Sequence, residues 1–533
     1  MAYNLKKNRV YKNGVRKLQN LFKSKKANYS MKKILFLRAS SGWKDPSPPM
    51  AFSYLGRIAK DNGFEVLVEN LNAQYNAKTN EDIIDLIKKE KPTIVGVSIF
   101  TNYAIDSYEL LKKIRKHCEL IIAGGPHVTI YPEEVLERGV DIAFVGEAEN
   151  SFNGFLKAIN SKKNLSSVKG IVYKDDGKIK KTKPPEVYDI NKLPLPDKEV
   201  HRKKDYIKVN EEIGNFGGIL SSRGCPGRCT YCYHSLFGRS FRYRSTEKIF
   251  KEIKYLYKNY GIKHINFIDD AFTINKPRLI ELCDMFIESK LPIEWVCATR
   301  IDFLDKEIIS KMSEAGCVMI SLGVENCIPE TLIKIKKTGN PKWYIEHVGN
   351  ILKWCKESKV RVGVNILTGF PWDSIKDIRK LQKYVKRISP YVTQGFCGGI
   401  LQPLPNTEIY DKYAKEYGFE KWWLYKKPLF TENYHPFFML YYHPFWEQLN
   451  NNFFNLDKGV FKEIDKLYRI MGKWNLKILV KRRFRNLLVR SILYSGLIIS
   501  SNISLFLYKI SPNLEKGIMK NLSNFSYKFK YKR

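Results

Sequence analysis

The sequence predicts an α/β protein with two successive domains built on parallel sheets: an N-terminal doubly wound sheet, then a partial (β/α)6 barrel. A mostly helical, basic C-terminal region follows. Three observations predict this. Short apolar runs alternate with helix-length amphipathic stretches over residues 31–160, the same alternation returns over 216–413 in six strand–helix units, and beyond 413 it gives way to aromatic and then Lys/Arg-rich sequence. A chain of 533 residues with 44% hydrophobic and 13% aromatic residues has ample core, which excludes a disordered or collagenous protein. The net charge of +38 implies attraction to polyanions or to an anionic membrane surface, and charge alone does not choose between them. Ten cysteines, unevenly placed, do not make a disulfide framework, and no apolar N-terminal run precedes a small-residue cleavage site. A cytoplasmic protein with reduced thiols is expected.

Residues 1–30 hold nine Lys and Arg residues and no acidic one, a cationic arm; the alternative is that translation starts at Met31. Over 31–160 the expected strands are Ile34–Leu37, Val66–Val68, Ile94–Ser98, Leu120–Ala123 and Ile142–Val145, with helices Met50–Asn62, Glu81–Lys89 and Ala104–His117 between them. Strands separated by helices need crossovers, so the sheet is expected to be parallel, with its ligand at the carboxyl ends of the strands. Three loops follow those ends. They carry Ser98 and Thr101, then Gly124, Gly125 and His127, then Gly146 and Glu147. Glycine there admits a large flat ligand to the backbone, and the hydroxyls supply polar contacts. Residues 161–215 read as a proline-stiffened linker with a small hairpin turning at Asp175-Asp176-Gly177.

The second series, 216–413, places strands near Gly218–Ser221, His264–Ile268, Ile293–Cys297, Val318–Leu322, Arg361–Leu367 and Gln394–Leu401. Six units are two short of a closed eight-fold barrel, so an open barrel is expected. Directly after its first strand come Cys225, Cys229 and Cys232, with Tyr231 before the last. Three thiolates at spacings of four and three from one loop suit an iron–sulfur cube with one iron left open for a ligand. The alternative is a Cys₃His zinc knuckle closed by His234. The loop after a barrel strand is where such folds keep their chemistry, which favours the cluster.

With this motif the chain resembles the radical S-adenosylmethionine superfamily. The resemblance implies a [4Fe-4S] cluster on Cys225, Cys229 and Cys232, S-adenosylmethionine on its open iron, and reductive cleavage to a 5′-deoxyadenosyl radical. It also implies an electron donor such as ferredoxin or flavodoxin. Further positions carried over are Asp269 and Asp270 at the cofactor's amino end, Arg300 for its carboxylate, Gly323 and Glu325 near the ribose, and Gly369 and Pro371 beside the adenine. For the charged residues among them, a salt bridge inside the barrel is the alternative.

The N-terminal domain, joined to this motif and to the Pro194-Leu195-Pro196-Asp197 linker, looks like the cobalamin-binding domain that precedes such barrels. The pairing is similar to the cobalamin-dependent class that includes methylases and the anaerobic magnesium-protoporphyrin ester cyclase. One departure from other cobalamin proteins matters: no Asp-x-His-x-x-Gly occurs, so the histidine that elsewhere replaces the cofactor's own base below cobalt is missing. His127 is expected to contact the nucleotide tail or cap a loop. A lower face without a protein ligand would favour methyl transfer to a carbon radical.

Residues 414–533 form the last region. Aromatics crowd Tyr417–Phe454, as a cap, a wall for an apolar substrate or a membrane-interface belt. From Asn475 onward thirteen basic residues face only Glu515, and Ser491–Tyr508 is uncharged. Several serines and Asn502 make that stretch a poor transmembrane helix, so a basic interfacial helix or hairpin on anionic lipid is expected, with a buried soluble helix pair as the alternative. No RNA-binding module is visible, and nucleic acid is not an expected partner. The function expected is cobalamin-dependent radical methylation of an unactivated carbon of a small, apolar substrate. The alternatives are radical cyclisation or rearrangement without methyl transfer, and a non-catalytic cobalamin- and cluster-binding sensor.

Overall fold

The computed structural model describes residues 32–39, 47–73, 78–161, 163–202, 217–234, 236–425, 437–441 and 449–531. The cationic arm, linker residues 203–215 and the aromatics Phe430, Tyr434, Tyr442, Phe445 and Trp446 lie outside them. The chain divides into two compact units. One comprises Met1–Ile207, Tyr233–Gly238 and Lys421–Pro428, and the other Lys208–Cys232, Arg239–Glu420 and Leu429–Arg533.

In the first unit, β1 (Lys33–Arg38), β2 (Glu65–Asn70), β3 (Ile94–Ser98), β4 (Leu120–Gly124) and β5 (Ile142–Phe144) are parallel and lie in the order β2-β1-β3-β4-β5. Six helices connect or flank them: α1 (Met50–Asp61), α2 (Asn80–Glu90), α3 (Ala104–Ile114), α4 (Pro126–Ile130), α5 (Pro132–Glu137) and α6 (Ala148–Asn160). The start of α2 is fixed by a capping box in which Thr79 and Asp82 satisfy each other's backbone N–H groups. The strand order reverses between β1 and β3, which opens a crevice at their carboxyl ends. Phe36 on β1 stacks on Phe52 of α1 at 5.1 Å, and its ring lies so close to β3 that a Cβ on Gly96 would meet it at 2.7 Å.

The hairpin expected within the linker is part of this sheet. Strand β6 (Ile171–Asp175) pairs antiparallel with β5 and with β7 (Lys178–Lys181), giving seven strands. The physical reason is that β5 is short and apolar, and its outer edge needs a partner; β6 supplies one and buries Ile171, Val172 and Tyr173. The tight turn holds Asp176 and Gly177 at φ 48° and 80°, the left-handed pair of a two-residue hairpin loop.

The second unit is the open barrel. Its six parallel strands are β8 (Gly218–Ile219), β11 (His264–Phe267), β12 (Glu294–Thr299), β13 (Cys317–Glu325), β14 (Arg361–Thr368) and β15 (Gly395–Ile400), hydrogen-bonded in the order β15-β14-β13-β12-β11-β8. A small antiparallel pair, β9 (Ser222–Arg223) and β10 (Arg242–Tyr243), brackets the cysteine loop. Helices α7 (Thr246–Tyr260), α8 (Lys276–Ser289), α9 (Lys306–Glu314), α10 (Pro329–Lys334), α11 (Pro341–Glu357), α12 (Ile375–Ile388) and α13 (Glu408–Tyr413) complete it, and the apolar faces of α7, α8, α9, α11 and α12 share one core with the strands.

Beyond the barrel come α14 (Phe437–Tyr441), α15 (Lys458–Arg483), α16 (Leu487–Ile510) and α17 (Pro512–Tyr531). Helix α15 solves the edge problem of the open sheet. The amide of Asn475 accepts from the Phe396 N–H at 2.7 Å and donates to the Phe396 carbonyl at 2.9 Å, so one side chain imitates a neighbouring strand along β15. Of the dense aromatics, Tyr413, Tyr417, Phe419, Phe453 and Phe454 pack edge to face on one another, with ring centroids 5.4–6.0 Å apart.

Candidate cofactor sites

The cysteine loop leaves β9 and is held from beneath. The Asp269 carboxylate, buried just after β11, accepts from the Ser221 N–H at 2.7 Å and from the hydroxyls of Ser221 and Ser222; Asp270 accepts from the Gly224 N–H at 3.1 Å. Burial pushes the Asp269 carboxyl up, while the two serines oppose that shift. The guanidinium of Arg278, also buried, donates to the Ser221 and Phe272 carbonyls and braces the same corner. Both aspartates therefore position the loop, and Arg278 is a supporting residue that sequence reasoning missed. Its only sequence signal is a cation in the first turn of α8, where a helix favours anions.

The Cys225 and Cys229 sulfurs lie on either side of Gly227 and Arg300, and Cys232 is within electrostatic reach of both. Burial raises the Cys225 thiol, whereas Cys232 is exposed on the loop and the neighbouring Cys225 and Cys229 act on it only through their charges. Arg300, at the end of β12, donates to the Cys229 sulfur at 3.3 Å, to Asp302 through Nε at 3.0 Å and to the Lys337 carbonyl at 2.9 Å. A Cβ on Gly227 would sit 3.0 Å from Arg300 Nη1 and 3.3 Å from the Cys225 sulfur, so the loop folds tightly around the guanidinium. Arg300 is thus a fixed cation at the sulfur cluster, in addition to being ion-paired with Asp302.

Beside it, β13 ends in an irregular register with Glu325 at φ 67°. The Glu325 carboxylate pairs with the buried Lys337 ammonium at 3.2 Å, and the Tyr344 hydroxyl donates to the Gly323 and Val324 carbonyls. A Cβ on Gly323 would strike Glu325 Oε1 at 2.8 Å. After β14, Gly369 at φ 86° and Phe370 donate their N–H groups to Asp373, whose carboxyl burial pushes up to about 7; Pro371 lies within this turn.

The donor set fits an iron–sulfur cube. A closed tetrahedral zinc site takes four ligands, and this loop brings three cysteines. A cube places each cysteine on a different iron and leaves one iron open.

In the first unit the loops after β3 and β4 interlock. The Ile99 N–H donates to the Gly124 carbonyl at 2.9 Å, and its carbonyl accepts from the His127 N–H at 3.2 Å. Gly125 takes φ 112°, ψ 179°, a conformation essentially confined to glycine. His127 is wholly buried. Its Nδ1 lies 3.2 Å from the Thr101 hydroxyl and its Nε2 2.8 Å from the Tyr108 hydroxyl, which donates onward to Glu134 at 2.7 Å; Trp423 also donates to Glu134, at 3.1 Å. Against the raising effect of burial, hydrogen bonds from His127, Tyr108 and Trp423 hold the Glu134 carboxyl below its usual value. Ser98, Thr101, Gly124, Gly125 and His127 are thus brought together. Gly146, at φ 74°, is tied to the Thr129 hydroxyl at 3.1 Å, and buried Glu147 accepts from the Tyr188 N–H at 3.1 Å. The Tyr108–Glu134–Trp423 chain was not visible in the sequence, because its members are spread over some three hundred residues.

Residues 219–385 match the radical SAM superfamily model and residues 44–156 the B12-binding-domain model. The chain is 29% identical over 370 residues to an uncharacterised methyltransferase of Pyrococcus horikoshii, covering 68% of this chain and 78% of that protein. It is 26% identical over 310 residues to the anaerobic magnesium-protoporphyrin IX monomethyl ester cyclase of Synechocystis, covering 55% and 60%. The fold is shared with the radical S-adenosylmethionine methyltransferase TsrM from Kitasatospora setae, at a TM-score of 0.61 and 18% identity over 72% of this chain and 76% of that one.

Proposed function

We propose that this chain, made a cobalamin-dependent radical SAM enzyme by its B12-binding and radical SAM domains, methylates an unactivated carbon of a small, apolar substrate. The observation that carries the reading is the cysteine loop, with the Arg300 guanidinium on the Cys229 sulfur and beside Cys225. When bound, the cluster supplies the electron that cleaves S-adenosylmethionine to a 5′-deoxyadenosyl radical, and cobalamin carries the methyl group.

The chain's own residues do the rest. Cys225, Cys229 and Cys232 would hold the cluster, and Asp269, Asp270 and Arg278 keep their loop in register. Arg300 sets a positive charge beside the Cys229 sulfur, which would favour the reduced form of a cluster held there. Glu325, Gly323 and the Gly369–Pro371 turn line the ends of β13 and β14, where the nucleoside of S-adenosylmethionine would lie. Ser98, Thr101, Gly124, Gly125, Gly146 and Glu147 belong to the cobalamin side. With both ring nitrogens of His127 engaged inside the domain, this loop offers cobalt no histidine. The apolar character of the substrate rests on the aromatic density of residues 417–454. The electron comes from a small carrier of the ferredoxin or flavodoxin kind, in the cytoplasm, where thiols stay reduced.

The test is a comparison of small molecules from cells with and without the protein, together with product analysis of the reconstituted enzyme. Substrate that gains one methylene, with S-adenosylhomocysteine formed beside 5′-deoxyadenosine, is the expected result. The likeness to the cyclase favours one second reading, radical cyclisation without methyl transfer. In that case 5′-deoxyadenosine forms and S-adenosylhomocysteine does not.

A further inference from the structure

Helices α16 and α17 invert the usual placement of polar and apolar side chains. Facing inward, Ser504 donates to Glu515 at 2.6 Å, and the Phe437 and Phe438 N–H groups donate to Glu515 and Ser504, each at 3.1 Å; Ser501, Ser504 and Glu515 have no exposed surface. Facing outward on one side of α16 are Leu488, Ile492, Ile499, Ile503, Phe506 and Ile510, each 50–69% exposed, a stripe along the helix interrupted only at Ser495 and Gly496. Leu514, Ile518 and Leu522 continue it on α17 at spacings of four. The opposite side of α16 already packs through Leu493, Leu497 and Leu507 against a cluster that includes Phe437, Leu476, Val480 and Met519, so the outer stripe is a second apolar face. An exposed apolar surface of this kind marks an interaction site.

Charge selects the occupant. From Asn475 to the C-terminus the net charge is +12, and the sole acidic residue, Glu515, is buried in the hydrogen bonds just described. Lys509, Lys516 and Lys520 are exposed on the same two helices, with Lys481, Arg482 and Arg485 just before them. A second copy of the chain seated on this face would set +12 against +12. An anionic bilayer offers hydrocarbon to the stripe and phosphate to the cations. Helix α16 is long and apolar enough to cross a membrane, with a mean hydropathy of 1.4 in its most apolar window. Its hairpin partner α17 is not, because Lys516, Lys520, Lys528 and Lys530 lie along it.

We propose that the α16–α17 hairpin lies in the plane of an anionic lipid surface, with its outer apolar stripe immersed and its lysines at the headgroups. The inference stands on this hairpin alone and does not depend on the catalytic reading. The experiment is flotation of the purified full-length protein with vesicles of phosphatidylcholine alone or mixed with phosphatidylglycerol, at low and high salt. At least tenfold more protein should float with the mixed vesicles at low salt than with phosphatidylcholine, and high salt should remove most of it. The triple variant Ile499→Ser, Ile503→Ser, Phe506→Ser should not float, and Lys509→Glu, Lys516→Glu, Lys520→Glu should float several-fold less. Because every substituted side chain is exposed, both variants should keep the parent's circular dichroism. Folded parent protein that stays at the bottom with both vesicle types overturns the proposal, as does equal binding to both. Resistance to alkaline carbonate extraction from cell membranes overturns it in favour of a spanning α16. A dimer broken by the serine variant, or tight RNA binding, with no flotation in either case, overturns it in favour of a protein or nucleic-acid partner.

Discussion

Replacing Gly125 by alanine tests whether the loops of the cobalamin side are as tightly determined as their geometry indicates. At φ 112°, ψ 179° the backbone is in a region that costs an L-residue about 1–3 kcal/mol. The new Cβ would also stand 2.8 Å from the Ile99 carbonyl oxygen and 3.3 Å from its nitrogen. Neither can retreat, since the nitrogen donates to Gly124 and the oxygen accepts from His127. Strain and clash together come to about 3–4 kcal/mol, which for a unit of this size lowers its melting temperature by about 10 °C. Gly63 is the control. It too has positive φ, 82°, but nothing lies within 4 Å of its Cβ position, so Gly63→Ala costs about 1–2 kcal/mol, or about 4 °C. Thermal unfolding of the full chain by circular dichroism reads both, and visible absorbance after cobalamin loading and desalting reads retention of the cofactor. Gly125→Ala should lose the cofactor and Gly63→Ala should keep it. Equal melting shifts in the two variants would refute the argument from the fixed Ile99 backbone.

Glu252 pairs with Arg244 at 2.6 Å, with both side chains nearly inaccessible, so Glu252→Ala strands a buried guanidinium and should cost about 3–5 kcal/mol in urea unfolding; a loss below about 1 kcal/mol contradicts this. His201 is buried, with Nε2 2.9 Å from the Ser53 hydroxyl, and burial lowers its pKa from 6.5 to about 3. Below pH 6.5 the unfolded chain therefore takes up a proton that the folded chain refuses until about pH 3, so His201's contribution to stability is complete above 6.5. It falls on acidification at up to about 1.4 kcal/mol per pH unit. His201→Gln should flatten the stability profile between about pH 6.5 and 4, and an unchanged slope counts against the assignment. Alanine at Cys225, Cys229 or Cys232 should drop the iron of anaerobically reconstituted protein well below about four per chain, and His234→Ala should leave it unchanged; the reverse pattern would favour the zinc knuckle.

Much of this architecture is legible in the sequence because it rests on local periodicity. The apolar runs at 34–37, 94–98 and 120–123 are strands, and the three cysteines lie on one loop. What the sequence hid depends on contacts distant in the chain. The hairpin at 171–181 reads as a free-standing pair because nothing local says that the short strand Ile142–Phe144 lacks an edge partner. Asp269 reads as a residue of the cofactor's amino end, and nothing local shows that two serines forty-seven and forty-eight residues upstream engage it. His127 reads as a histidine that touches the nucleotide tail or caps a loop, and its enclosure by Tyr108, and through it by Glu134 and Trp423, is not visible locally. The outward stripe on α16 is apolar sequence of the kind that also fills a core, and only the inward turn of Ser501, Ser504 and Glu515 distinguishes the two.

The central claim is that Cys225, Cys229 and Cys232 hold a redox-active cluster that cleaves S-adenosylmethionine. Incubation of anaerobically reconstituted, chemically reduced protein with S-adenosylmethionine, followed by chromatography of the nucleosides, measures it directly. The account predicts 5′-deoxyadenosine from the parent protein and none from Cys229→Ala. Protein that carries zinc in place of iron and releases no 5′-deoxyadenosine would contradict it.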